Sequence, residues 1–229
     1  MRVVLLRWVY CLMLLLSLES TFVTAQSSIQ IQHQVKLGDV SLSLGVWQKS
    51  DSNVSVRIDK LRWYVSLPTA EKKGCKAWLL DLSDSASLNQ IYMYPTRSDR
   101  VVRNISLLFG IDSAIQVGGV GTGALDPARG MYWTWQTGYV QWKMKGAIRV
   151  DGAESPLELH LGGFDGPANA QVLLPKYMFD SSVDSVVARW NISPFLAEVV
   201  HRKKYGVMSP SPIARDYCRI IADGVSFHK

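Results

Sequence analysis

Three cysteines and four histidines in a chain of 229 residues are too few for a dense disulfide scaffold or a histidine-rich metal store. Charge of one sign is also scarce, since 25 Lys and Arg stand against 19 Asp and Glu for a net +6. The basic run Arg202-Lys203-Lys204 is short, so composition offers nucleic-acid binding little support. Catalytic motifs are missing too: no G-x-S-x-G, no H-E-x-x-H and no Cys/His nucleophile spacing occurs. Asp81, Asp84 and Asp112 stand apart without a visible acid–base partner. Gly118-Gly119-Val120-Gly121-Thr122-Gly123 lacks the strand-to-helix setting of a phosphate cradle and reads as a loop. No case for an enzyme forms.

Apolar runs of membrane-spanning length are absent as well. Trp8–Leu18, eleven mainly apolar residues, falls short of the ~20 that a spanning helix needs. Arg2 and Arg7 precede it, and Val23-Thr24-Ala25 follows as a small-residue cleavage site before Gln26. That pattern is a secretory signal. The expectation is a cleaved signal over 1–25, one domain over 26–229, a periplasmic or secreted location, and no stable membrane insertion afterwards. Export leaves two thiols, Cys75 and Cys218, in an oxidising compartment. A disulfide is the plainer reading of that pair, and two thiolate metal ligands are the alternative.

What is present is mostly strand. Ile29, Ile31, His33, Val35 and Leu37 alternate with Gln30, Gln32, Gln34 and Lys36, the period of a half-buried strand. Gly38-Asp39 turns it into a second alternating run, Val40–Val46. Further β-rich runs cover Val54–Leu67, Ala77–Leu82, Ile105–Phe109, Met131–Lys145, Leu157–Leu161 and Ser185–Ile192. Near the end, Ser193-Pro194 and Ser211-Pro212 each put a capping hydroxyl before a first-turn proline. Gly224 marks a helix stop. The fold class expected is all-β, an antiparallel β-sandwich with one or two short C-terminal helices.

Few residues carry possible chemistry. His33 holds an inward strand position, where an imidazole must find a hydrogen-bond partner or a ligand. His160, in Leu157-Glu158-Leu159-His160-Leu161, lies on the face opposite the leucines, ahead of Gly162-Gly163. As a pair they suit copper or zinc, although each is also explained as a satisfied core histidine and a solvated strand residue. His201 and His228 read as exposed. Trp133 and Trp135 share one face of an aromatic strand in which Gly138 suggests a bulge. Core packing explains two indoles on one face equally well.

The ordered block Gly130-Met131-Tyr132-Trp133-Thr134-Trp135-Gln136-Thr137-Gly138-Tyr139 resembles the signature of the MbnP-like family. Ile58–Ser66, Leu79–Ser83, Phe109–Ser113, Gly123–Pro127 and His160–Gly163 follow the same family order. The resemblance implies an exported, β-rich, non-enzymatic copper-binding protein linked to methanobactin operons. It implies a partner, a dihaem cytochrome c peroxidase-like protein that oxidises a tryptophan to kynurenine. Carried over, copper as Cu(I)/Cu(II) would be held by His33 and His160 with a further donor such as water, Met131 or the oxidised indole. Trp133 or Trp135 would be the modified residue. Two departures stand out: Arg129 where many relatives have His, and Lys145 where an acid is usual. Two further readings follow from the same residues: a metal-free envelope interaction module using the aromatic strand, and an oxidisable protein substrate of the haem partner without bound copper.

Overall fold

Two sheets face each other across a core in which indole rings take the central place. The computed structural model describes residues 26–68, 76–95, 102–134, 136–180 and 182–229. The expected signal over 1–25, Cys75 and Trp135 therefore lie outside the described residues. Among the described residues no helix is long and apolar enough to cross a membrane.

The first sheet is built on β1 (Gln26–Leu37), whose alternation sends Ile29, Ile31, His33, Val35 and Leu37 inward. Its neighbours are β14 (Ser185–Asn191) on one edge, with β16 (Val225–His228) beyond, and β2 (Val40–Ser41) and β6 (Asn89–Pro95). The fold is all-β and sandwich-like as expected, but its sheets are mixed, since the β1–β14 pairing is parallel where an antiparallel one was expected. The turn at Gly38 forms, but the second run of the expected hairpin pairs with β1 only at Val40 and Ser41.

The second sheet centres on β10 (Gly138–Val150), which lies between β4 (Val54–Ser66) and β11 (Ala153–Gly162). Five shorter strands extend it: β3 (Trp47–Lys49), β5 (Ala77–Asp81), β8 (Leu108–Phe109), β12 (Val172–Leu173) and β15 (Gly206–Val207). β7 (Val102–Ile105) and β13 (Tyr177–Asp180) form a separate two-stranded ribbon. The run read as one strand over Met131–Lys145 is two. β9 (Tyr132–Thr134) turns back on β10 through Gln136 and Thr137. Gly138, at φ +70°, starts β10 with the register shift that its position suggested.

The paired registers sort the side chains. Trp142 lies opposite Trp63 and Leu161, and these point into the core; Lys143 lies opposite Arg62 and His160, and these point out. Inside, Trp63, Trp142 and Trp190 are all fully buried, with ring centroids 5.5–6.4 Å apart. Their mutually tilted and edge-on contacts are the favoured aromatic arrangement.

Two helices close one side. α2 (Ser193–His201) and α3 (Pro212–Asp223) bury Phe195, Leu196, Val199, Tyr217, Cys218 and Ile221; α1, the short Ser113–Val117 helix, lies in the excursion described below. Ser211 caps α3 as expected, its Oγ accepting from Ala214 N. Ser193 does not cap α2: it is already helical, and its own N–H donates to Asn191 Oδ1. Gly224 ends α3 at an ordinary negative φ. It is needed for close approach, since a Cβ there would lie 2.3 Å from Asn191 O. Cys218 is fully buried, and burial pushes its thiol pKa up. Among the described residues it is free, while its expected partner Cys75 lies outside them.

His33 is part of this core. Its ring is 1% exposed, and Nδ1 accepts a hydrogen bond from the Trp190 indole N–H at 3.0 Å. Accepting at Nδ1 leaves the proton on Nε2. Gln90 on β6 interacts with the ring, though Nε2 and Gln90 Oε1 lie outside close hydrogen-bond geometry. Burial pushes the imidazole pKa down to about 3, and Gln90 only partly offsets it.

Two stability predictions follow from this packing. A Cβ on Gly146 would lie 2.0 Å from Arg57 O, at the register shift between β10 and β4. Gly146→Ala should therefore cost about 1–3 kcal/mol, measured from urea unfolding midpoints; an unchanged midpoint would contradict the packing. Unfolded, His33 titrates near 6.5, so below that pH the unfolded chain binds the extra proton and stability falls. The contribution should be about 1.4 kcal/mol per pH unit between that value and the folded one. Urea titrations at pH 7, 6 and 5 should show a shallower slope in His33→Gln than in the wild type.

Candidate functional site

The outward row of the second sheet carries the remaining chemistry. Arg62 on β4, Lys143 on β10 and His160 on β11 are aligned across three strands, with Lys60, Lys145 and Glu158 in the next row. Like charges therefore stand directly opposite, Lys143 against Arg62 and Lys145 against Lys60, a pairing that by itself destabilises a sheet.

Part of the explanation is a cap over this face, formed by the excursion between β8 and β10. Tyr64 Oη donates to Ala124 O at 2.7 Å, Arg62 to Arg129 O at 2.9 Å, and Lys143 Nζ to Gly130 O at 2.7 Å. The last two acceptors end a 3-10 turn over Pro127–Arg129, where orphaned carbonyls favour cationic donors. Tyr139 Oη accepts from Gly121 N and donates to Leu125 O, so the glycine-rich segment serves as a fitted part of the cap. Gln116 on α1 accepts from Tyr139 N, and Gln141 accepts from Ile111 N. Beneath the cap Tyr64, Ile111, Met131, Tyr139 and Val140 form a second apolar cluster, separate from the main core, with Trp133 and Tyr132 at its margin.

Trp133 lies on the same outer face as His160. A Cβ on Gly162 would lie 2.8 Å from Trp133 Cζ3, so the missing side chain is what lets the indole settle on β11. Gly162 and His160 are two residues apart and share that face. The imidazole is 7% exposed, and its Nε2 lies 3.5 Å from Glu158 Oε1 with no closer partner. Burial, and next the Lys143 ammonium, push the His160 pKa down to about 4, against the opposing pull of Glu158. Lys143 is itself held below the usual lysine range, first by burial and then by Lys145, Lys60 and Arg62. Glu158 is ion-paired with Lys145. Arg62 pairs with Asp81 at 2.5 Å; there the Ser83 and Arg62 hydrogen bonds outweigh burial and keep the carboxyl below its ordinary range.

Of the residues singled out in the sequence, the structure places His160 and Trp133 on one face of the second sheet and keeps His33 on the other side. His33 touches Trp190, Trp190 touches Trp142, and Trp142 points away from Lys143 and His160. The second sheet thus stands between the two imidazoles, and an ion shared by His33 and His160 does not fit. Met131 is fully buried in the cap cluster. Among the described residues no group of three or more His, Cys, Asp and Glu side chains could hold a metal ion. Sequence reading missed Arg62, Lys143 and Gly162. The two cations gave no motif, but Gly162 beside His160 was a visible sign of close packing.

A search of curated proteins finds no match. Among solved structures the chain is similar to MbnP from Methylosinus trichosporium, at 12% identity and a TM-score of 0.45, covering 76% of this chain and 78% of that one. The MbnP family model matches residues 24–209, well over half of the sequence. The chain belongs to the MbnP family.

Proposed function

We propose that this chain is a non-catalytic, methanobactin-associated protein of the cell envelope that presents Trp133 for oxidation by a dihaem peroxidase-like cytochrome. The observation that carries this reading is the seating of the Trp133 indole on Gly162, two residues along the same strand face from His160, whose buried Nε2 has no hydrogen-bond partner. The cap holds the indole partly buried, at the margin of an apolar cluster and on the outer side of the sheet. A partner docking on that side meets Trp133 without opening the core. Oxidising equivalents are the partner's contribution, and this chain's part is to fix the indole and keep a neutral imidazole next to it. Export rests on the signal pattern over residues 1–25.

Copper enters as a second reading, favoured by the same His160 nitrogen. The unmodified chain offers one imidazole there, amid Lys143, Lys145 and Arg62, which repel a cation. Ring opening of Trp133 to kynurenine would add an aryl amine and place two nitrogen donors on one face. Copper retention then depends on the modification and on His160, and is indifferent to His33.

Coexpression with the dihaem partner followed by peptide mapping tests the assignment. Kynurenine should appear at position 133 and disappear in Trp133→Phe, and bound copper should accompany it and be lost in His160→Ala. Modification confined to Trp135, or none at all, would overturn the reading.

A further inference from the structure

The buried indoles are not equivalent. Trp63, Trp142 and Trp190 are in mutual contact at centroid separations of 5.6, 5.5 and 6.4 Å, and Phe109 fills between them at 5.4 Å from Trp190 and 6.0 Å from Trp142. The indole nitrogens of Trp63 and Trp142 have no hydrogen-bond partner. Trp190 alone of the three donates its N–H to a base, His33 Nδ1, at 3.0 Å. An indole that has lost an electron becomes a strong N–H acid. The proton can leave the ring only where a base is already hydrogen-bonded to it.

We propose that Trp63, Trp142 and Trp190 form an electron-hole store in which one-electron oxidation comes to rest on Trp190 as a neutral indolyl radical, with His33 as the proton acceptor. The electron passes from the indole cluster to a one-electron oxidant, such as the high-valent iron of a haem partner, which is reduced by one unit. The Trp190 Nε1–H bond breaks, a His33 Nδ1–H bond forms, and the imidazole becomes an imidazolium hydrogen-bonded back to the indolyl nitrogen. Electron loss creates one positive charge in the core whatever follows. The proton shift moves it from the ring onto the imidazole, where the Gln90 amide oxygen is the adjacent polar group. Returning the electron returns the proton. Trp63 and Trp142 lack this outlet and serve to carry the hole to Trp190. The store lies across the second sheet from Trp133, with Trp63 and Trp142 on the inner faces of β4 and β10 and Trp190 on β14 of the facing sheet, and it does not depend on Trp133 being the modified residue.

Photogenerated ruthenium(III) tris-bipyridine, formed by flash and quench, is the oxidant for the test. The protein carries nitrogen-15 in its histidines, and radicals trapped by freezing are read by pulsed electron paramagnetic resonance. The expected result is an indolyl radical coupled to a histidine nitrogen in the wild type, with that coupling lost in Trp190→Phe and in His33→Gln. Trp190→Phe retains an aromatic ring in the cluster, so it keeps the question open to measurement if His33→Gln does not fold. A wild-type radical without histidine coupling, no radical beyond that formed in Trp190→Phe, or coupling that survives Trp190→Phe would each overturn the proposal.

Discussion

The register of β10 between β4 and β11 is the constraint on which the rest depends. One residue of slip would exchange the faces of every side chain along the strand, driving Lys143 into the aromatic core and Trp142 into solvent. The observed register places three residues in each row, Trp63–Trp142–Leu161 inward and Arg62–Lys143–His160 outward. Burial of two indoles on one side and the cost of burying the Lys143 ammonium there both hold it in place. Two chemically distinct compartments follow, one on each side of a single layer of backbone.

The outer compartment shows how an unfavourable pairing is made useful. Lys143 opposite Arg62 is a repulsive neighbour pair, yet both donate to carbonyls at the end of one 3-10 turn. Their charge fastens the cap, the cap positions Trp133, and Gly162 leaves room for its ring. After burial, Lys143 and then Lys145 lower the basicity of His160, and these cations disfavour a metal ion beside it. Arg129 takes part in this arrangement through its backbone carbonyl, which accepts from Arg62.

Much of the fold was legible because its signals are local. The alternation Ile29 to Leu37 and the Ser211-Pro212 start of α3 appear where expected. The parallel β1–β14 pairing was not legible, because residues more than 150 positions apart leave no mark in either strand's own pattern. The aromatic block was read as one strand because its apolar density hid the turn at Gln136 and Thr137. For the site, alternation correctly put His33 inside and His160 outside, which already set them on different kinds of surface. What sequence could not supply was the stacking of the sheets, which puts a whole strand layer between the two rings. Nor could it show that Trp190 satisfies the His33 nitrogen, a contact between β1 and β14 that only tertiary structure creates.

The central claim, that the second sheet separates the two imidazoles, is open to one direct measurement. Long-range proton–nitrogen NMR spectra of nitrogen-15 histidine protein report each ring separately, and Cu(II) added in small steps relaxes those it reaches. The account predicts that His160 resonances broaden early, together with exposed His201 and half-buried His228, while His33 stays sharp in its Nε2-protonated form. Early broadening of His33 in step with His160 would place both rings at one site and contradict the account.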